Sequence, residues 1–126
     1  MILGLGTDLV SVARLADMLD RHGGRFRNRC FRDQEFEGLA GYAGGRTAGA
    51  AAGWAAKEAF LKALGTRVTG IPYRQIEVQA GPCAPPCLVL HDLAKGALEQ
   101  AGAVRASVTL SRAGDFAVAT VILEGP

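Results

Sequence analysis

The chain has 126 residues, 49% of them hydrophobic, and a formal net charge of only +2. This size and composition predict one globular domain over residues 1–126 and leave too little chain for a two-lobed enzyme. The small net charge excludes general nucleic-acid binding, and no apolar stretch reaches the roughly 20 residues that span a membrane. Because the N-terminus lacks a secretory leader pattern, we expect a cytoplasmic protein with no membrane partner.

The first predicted elements are a strand and a helix. Residues 2–10 form an apolar run whose period-two alternation places Gly4, Gly6 and Asp8 on one face. The glycines leave room for another backbone or a ligand to approach. A serine cap then predicts a helix over residues 11–21, which two consecutive glycines end.

Two further helices are predicted in the middle of the chain. The first spans Asp33–Leu39. The segment Gly38–Gly53 is rich in Gly and Ala, and its first half predicts a flexible loop that is either mobile or closes over a ligand. A long helix begins near Thr47 and ends at Gly65, a residue typical of helix C-termini.

The last third of the chain alternates strands with one helix. Ile76–Gln79 and Cys87–Leu90 are short strand-like runs, and Asp92–Ala101 is a helix candidate. Arg105–Ser111 and Phe116–Leu123 are two further strand-like runs, whose spacing predicts a hairpin with a longer loop.

Two acids lie in apolar surroundings. Asp8 is near the end of the first strand, and Glu58 is inside the Ala-rich helix. Because a carboxylate is rarely buried without a partner, something must compensate each charge. A divalent cation shared by both is one answer. The alternative for Asp8 is that it caps the helix that follows, by accepting hydrogen bonds from amides near Ser11.

Trp54, Glu58 and Lys62 share one helical face, because they are spaced i, i+4 and i+8. Glu58 and Lys62 could form a surface ion pair of about 0.3–0.5 kcal/mol. They could instead bind a cation and a phosphate respectively. The glycines before Asp8 form neither a dinucleotide-binding fingerprint nor a phosphate-binding P-loop.

The positive charge of the chain is concentrated in residues 14–32. Six arginines against two aspartates give this segment a net charge of +4, whereas eight basic and ten acidic residues give the remainder −2. Such a patch indicates an acidic partner. The alternative is a basic face that contacts only solvent. For Arg27 and Arg32, partner binding and solvent exposure are both open interpretations.

Together, Ile2-Leu-Gly-Leu-Gly-Thr-Asp8-Leu-Val10 and Trp54-Ala-Ala-Lys-Glu58-Ala-Phe-Leu-Lys62-Ala-Leu-Gly65-Thr66 resemble the signatures of holo-[acyl-carrier-protein] synthase. This is the small class of 4′-phosphopantetheinyl transferases, and the resemblance covers nearly the whole chain. It implies an α+β fold with an antiparallel sheet packed on a long central helix. It also implies a homotrimer with active sites at the subunit interfaces.

The resemblance implies transfer of the 4′-phosphopantetheine arm of coenzyme A to a serine of apo acyl carrier protein, in support of fatty-acid biosynthesis. The by-product is adenosine 3′,5′-bisphosphate. Asp8 and Glu58 would hold Mg²⁺ and, with Lys62, form the catalytic set, in which Glu58 or a metal-bound water is the base. The implied coenzyme A-binding residues are Lys62, Gly65, Thr66, Pro86, Arg46 and Ser111. The implied carrier-docking residues are Arg14, Met18, Arg21, Arg25 and Phe26.

The sequence departs from the family pattern in three places. Gly53 replaces an arginine that would contact the phosphates of the nucleotide, a loss for which Arg46 could compensate. Ala84-Pro85-Pro86 replaces a Gly-Lys-Pro turn, and Arg112 replaces a His or Asp. These departures concern coenzyme A affinity more than the metal site. They leave open a second function, a non-catalytic carrier-protein or nucleotide-binding module.

Overall fold

The computed structural model describes residues 1–65, 68–82 and 84–126. The chain begins with strand β1, followed by three helices, and continues with strands β2 and β3, helix α4 and strands β4 and β5. The bounds are β1 Ile2–Ser11, α1 Val12–Cys30, α2 Asp33–Ala43, α3 Arg46–Leu64, a 3₁₀ turn Tyr73–Gln75, β2 Ile76–Gly81, β3 Ala84–Leu90, α4 Asp92–Gln100, β4 Arg105–Ala113 and β5 Phe116–Glu124.

The strands form two antiparallel sheets. The larger sheet has the order β1-β5-β4, so that β5 pairs with β1 on one side and with β4 on the other. Ala119, for example, lies opposite both Asp8 and Leu110. Strands β2 and β3 form a separate hairpin. Helix α3 packs against β1, β5, α1 and α2, which confirms the predicted α+β fold built on a long central helix.

Strand β1 lies unusually close to α3 because its inward face carries glycines. A Cβ atom on Gly4 would lie 2.2 Å from the carbonyl oxygen of Ala63, and one on Gly6 would lie 2.0 Å from that of Ala59. Neither distance is sterically possible, so only glycine permits this contact. The space that the glycines leave in β1 is therefore filled by the backbone of a helix and not by a ligand.

Three of the predicted boundaries are wrong. Residues 38–43 continue α2, and only Gly44 and Gly45 separate it from α3, so the predicted flexible loop is helical. Helix α1 continues to Cys30 through a kink at Gly23, where φ is 51°. The β4–β5 loop is shorter than predicted, because Ala113 pairs with Phe116 and two residues make the turn.

The other predicted elements are confirmed. The structure contains the first strand, the long helix ending before Gly65, the two short strands and the last helix, within a few residues of the predicted bounds. Among the helices of the described ranges, none has the length and apolarity needed to cross a membrane.

Candidate active site

A cleft of about 400 Å³ lies where β1, α1 and α3 meet. The end of β1 contributes Asp8, and α3 contributes Trp54 and Glu58. The first turns of α1 also line the cleft. Ser11 caps the N-terminus of this helix, because its hydroxyl accepts a hydrogen bond of 3.2 Å from the Arg14 amide. The two acids that the sequence singled out, 50 residues apart, therefore line one cleft.

Asp8 is paired with Lys62 across the contact between β1 and α3. The Lys62 Nζ lies 2.7 Å from Asp8 Oδ1 and donates a second hydrogen bond to the carbonyl of Thr7 at 3.1 Å. The Asp8 side chain is 15% exposed and that of Lys62 is 55% exposed. Helix capping by Asp8 is therefore not the role that the structure gives it.

Glu58 is held by a tyrosine rather than by Lys62. The Tyr73 hydroxyl donates a hydrogen bond of 2.6 Å to Glu58 Oε1, and within the described residues no Glu58–Lys62 ion pair forms. The Tyr73 ring stacks on Trp54 with 4.7 Å between the ring centroids. Burial, followed by the hydrogen bond to the Glu58 carboxylate, raises the pKa of Tyr73, so that the phenol stays a donor at neutral pH. Tyr73 is not among the site residues predicted from the sequence, because no local pattern marks it.

A buried ion pair lies behind the cleft. Lys57 Nζ is 2.7 Å from Glu35 Oε2, and both side chains are 0% exposed. Lys57 also donates to the carbonyls of Tyr73 and Ile76, while Glu35 accepts the Val78 amide at 2.7 Å. Burial lowers the pKa of Lys57, an effect that the Glu35 charge opposes. The pair therefore fastens the segment carrying Tyr73 to α2 and α3.

The helical spacing of α3 marks Lys57 as a buried charge, although it does not identify Glu35 as the partner. Gly53, Lys57, Phe60 and Leu64 lie on one face of α3, and all four are buried. A lysine on the apolar side of a helix needs a buried acid as its partner.

The residues of the cleft fit Mg²⁺. The cleft contains two carboxylates, those of Asp8 and Glu58. No group of three or more His, Cys, Asp or Glu side chains, which a metal held by protein ligands alone would need, occurs among the described residues. Mg²⁺ commonly takes one or two protein carboxylates and completes its shell with substrate phosphates and water.

The predicted carrier-docking residues surround two neighbouring cavities. Arg14 and Met18 line the cleft, and Met18 and Arg25 also line a second cavity of about 550 Å³. Arg21 is exposed and pairs with Asp17 one helical turn away. Phe26 is only 8% exposed and packs on the Trp54 ring, so it supports this surface from below.

Arg27 and Arg32 have structural partners instead. Arg27 is 3.6 Å from Asp33 and lies over the Phe36 ring, 4.2 Å from its centroid. Arg32 Nε donates to the Arg74 carbonyl at 2.9 Å. These contacts tie both side chains to neighbouring elements of the fold.

One chain brings only some of the predicted coenzyme A-binding residues together. Gly65 ends α3 with φ 79° and lines a cavity beside Lys62, whereas Thr66 lies outside the described residues. Arg46 is at the other end of α3, about 24 Å from Lys62 at the rise of an α-helix, and pairs with Glu37.

The remaining two lie on the late strands. Ser111 lines a separate cavity together with Arg112 and Tyr42. Pro86 is near the start of β3. Neither residue lines the cleft that holds Asp8 and Glu58.

Gly53 has a packing role. A Cβ atom there would lie 2.6 Å from Leu39 Cδ1 and 2.8 Å from Phe31 Cε1. A side chain at position 53 would therefore collide with Leu39 of α2 and with Phe31 unless they moved. In this chain the glycine allows the close approach of α2 to α3, and its effect on coenzyme A affinity stays a prediction.

Comparison with known proteins decides the family. Residues 4–121 match the sequence model of the 4′-phosphopantetheinyl transferase superfamily. The chain is 41% identical over 125 residues to the holo-[acyl-carrier-protein] synthase of Nitratidesulfovibrio vulgaris strain DP4, covering 98% of this chain and 99% of that protein. The chain belongs to the holo-[acyl-carrier-protein] synthase family.

Solved structures of this family share the fold. The chain superposes on the Neisseria meningitidis holo-[acyl-carrier-protein] synthase with a TM-score of 0.85 and 32% identity, covering 98% of this chain and 99% of that one. It superposes on the synthase–coenzyme A complex of Chronobacterium ammoniagenes with a TM-score of 0.79 and 30% identity, over 97% and 96% of the two chains.

Proposed function

We propose that this protein transfers the 4′-phosphopantetheine arm of coenzyme A to a serine of an apo acyl carrier protein. The observation that carries the proposal is that Asp8 and Glu58 line one cleft of a holo-[acyl-carrier-protein] synthase fold, while Lys62 contacts Asp8 from the neighbouring cavity. Relatives over the full length of the chain carry this name, and one similar structure is a complex with coenzyme A. The expected by-product is adenosine 3′,5′-bisphosphate.

The reaction is a phosphoryl transfer, in which positioning and charge neutralisation do most of the catalytic work. The serine oxygen forms a bond to the phosphorus next to the pantetheine arm. The bond from that phosphorus to the oxygen of adenosine 3′,5′-bisphosphate breaks, and the proton of the serine goes to Glu58 or to a water in the cleft. Lys62, whose side chain is 55% exposed, is free to turn from Asp8 towards the phosphates. It stabilises the charge that develops there.

Mg²⁺ dependence is part of the proposal, with Asp8 and Glu58 as the protein ligands. The ion would neutralise the pyrophosphate of coenzyme A and complete its shell with phosphate oxygens and water. Asp8 fits this role because its side chain lines the cleft and is only 15% exposed. Glu58 fits it because one of its oxygens is fixed by Tyr73.

We propose that the acidic carrier binds to α1 beside the cleft. Arg14, Arg21 and Arg25 are exposed on this helix, and Arg14 with Met18 reaches the cleft itself. Exposed positive charges speed the association of an acidic partner and orient it on the surface. Salt weakens this effect because it screens the charges.

We further propose a homotrimer in which coenzyme A binds across a subunit interface. Leu5 and Leu9 are exposed on the outer face of β1, a feature typical of association surfaces. Arg46 and Ser111 lie outside the cleft, and in this trimer they would contact coenzyme A bound at the cleft of a neighbouring subunit. A cytoplasmic location and a role in fatty-acid biosynthesis remain predictions.

The test is to incubate the protein with apo acyl carrier protein and coenzyme A and to measure the mass of the carrier. We expect the carrier to gain one phosphopantetheine arm when Mg²⁺ is present and no gain when the metal is chelated. Coenzyme A binding without transfer to any carrier would instead favour the non-catalytic module. Sedimentation of the purified protein tests the trimer separately.

A further inference from the structure

We infer that Tyr73 is a positioning residue for Glu58. Its hydroxyl donates a 2.6 Å hydrogen bond to Glu58 Oε1 in a partly buried setting. A bond of this length from a neutral hydroxyl to a carboxylate is among the stronger hydrogen bonds in proteins. It fixes one oxygen of Glu58 and leaves the second oxygen for the cleft.

The Tyr73 side chain is itself held by α3. Its ring stacks on Trp54 at an interplanar angle of 27°, and its backbone carbonyl accepts a 2.9 Å hydrogen bond from Lys57 Nζ. Trp54, Lys57 and Glu58 all belong to the same helix, so the tyrosine is fixed to α3 through its ring, its backbone and its hydroxyl. The ring and backbone contacts are independent of Glu58, so a tyrosine held by them can restrain the Glu58 carboxylate.

The turn that carries Tyr73 is also tied to the end of α1. Arg74 Nη1 donates to the carbonyls of Asn28 and Phe31 at 2.8 and 2.7 Å, and Arg32 donates back to the Arg74 carbonyl. Together with the buried Lys57, these contacts hold the turn between two helices. The Tyr73 hydroxyl is therefore preorganised before any substrate binds.

This inference rests on the metal site proposed above, because it assigns Tyr73 the task of orienting one of its ligands. Groups that hydrogen-bond a metal ligand typically change metal affinity or activity about 10–100-fold when they are removed. Tyr73→Phe keeps the ring on Trp54 and removes only the hydroxyl. We expect this change to weaken Mg²⁺ binding about tenfold, at the lower end of that range, because the carboxylate itself remains.

The experiment is a calorimetric titration of Mg²⁺ into the protein–coenzyme A complex, for the wild type, Tyr73→Phe, Glu58→Gln and Gln75→Ala. Gln75 lies in the same turn, but its side chain accepts hydrogen bonds from the amides of Leu93 and Ala94 at the start of α4. Gln75→Ala is therefore a matched control, because it removes side-chain hydrogen bonds from the same turn without removing a contact to Glu58. Thermal unfolding of each variant reports the structural effect separately.

The inference predicts weaker Mg²⁺ binding in Tyr73→Phe and unchanged Mg²⁺ binding in Gln75→Ala. Unchanged or tighter Mg²⁺ binding in Tyr73→Phe, with binding lost in Glu58→Gln, would overturn the role of Tyr73 and leave the metal site intact. No Mg²⁺ binding in the wild type, or wild-type binding in Glu58→Gln, would overturn the metal site and this inference with it.

Discussion

Replacement of Lys57 by methionine tests how far the buried pair stabilises the fold. The change removes the partner of Glu35, whose side chain is 0% exposed, together with the donor to the Tyr73 and Ile76 carbonyls. Removing one member of a buried ion pair costs about 3–5 kcal/mol, because the other charge stays buried without compensation. With an unfolding entropy of about 2.1 cal/mol/K per residue, this loss lowers the Tm of a chain of this length by about 11–19 °C.

The assay is thermal unfolding followed by circular dichroism, at one protein concentration because any subunit association also shifts Tm. Lys62→Met is the matched control, since it makes the same substitution on the same helix at a side chain that is 55% exposed. It should cost at most about 1 kcal/mol, as exposed pairs do. The double variant Lys57→Met with Glu35→Gln should recover part of the loss, because the uncompensated charge is gone. A Tm for Lys57→Met equal to that of Lys62→Met would refute this reasoning.

Three further predictions concern packing, docking and pH. Gly6→Val should lower the free energy of unfolding by about 3 kcal/mol in denaturant titration, because a Cβ there would lie 2.0 Å from the Ala59 carbonyl oxygen; wild-type stability would contradict the close approach. The KM for the acidic carrier should rise with salt, and Arg14→Ala should reduce that rise; a salt-independent KM would argue against docking on α1. For Glu77, burial acts to raise the pKa, but hydrogen bonds with His91 and Gln79 outweigh it and lower the pKa below its usual value of 4.5. Ionised Glu77 therefore contributes stability above pH 4.5, and this contribution is lost as the pH falls further. Glu77→Gln should flatten this part of the plot of Tm against pH. Parallel plots for the wild type and Glu77→Gln would exclude the contribution.

The elements predicted best from the sequence are those with a regular apolar pattern. Strand β1 and the long helix α3 follow directly from their periodicity and from the glycine at the end of α3. The glycines in the first half of the segment 38–53 predict a flexible loop, whereas residues 38–43 form the last part of α2. Within α3, Gly49 and Gly53 allow α2 to pack closely on it, although each helical glycine costs roughly 1 kcal/mol.

The charged residues of the candidate site could be predicted from the sequence, but their contacts could not. Asp8, Glu58 and Lys62 are recognisable as charged groups in apolar or helical segments, and the family resemblance implies that they form one site. Their actual partners depend on pairings distant in sequence. Lys57 meets Glu35 and Glu58 meets Tyr73 only after the chain has folded, so no local spacing could reveal either contact.

The most direct test of the proposed transfer compares the wild type with Glu58→Gln. Both are incubated with apo acyl carrier protein, coenzyme A and Mg²⁺, and the mass of the carrier is followed with time. Circular dichroism of the variant checks that the fold is retained. The account predicts that the wild type adds one phosphopantetheine arm and that folded Glu58→Gln adds none. Transfer by Glu58→Gln at the wild-type rate would contradict it, because Glu58 would then have no part in the reaction.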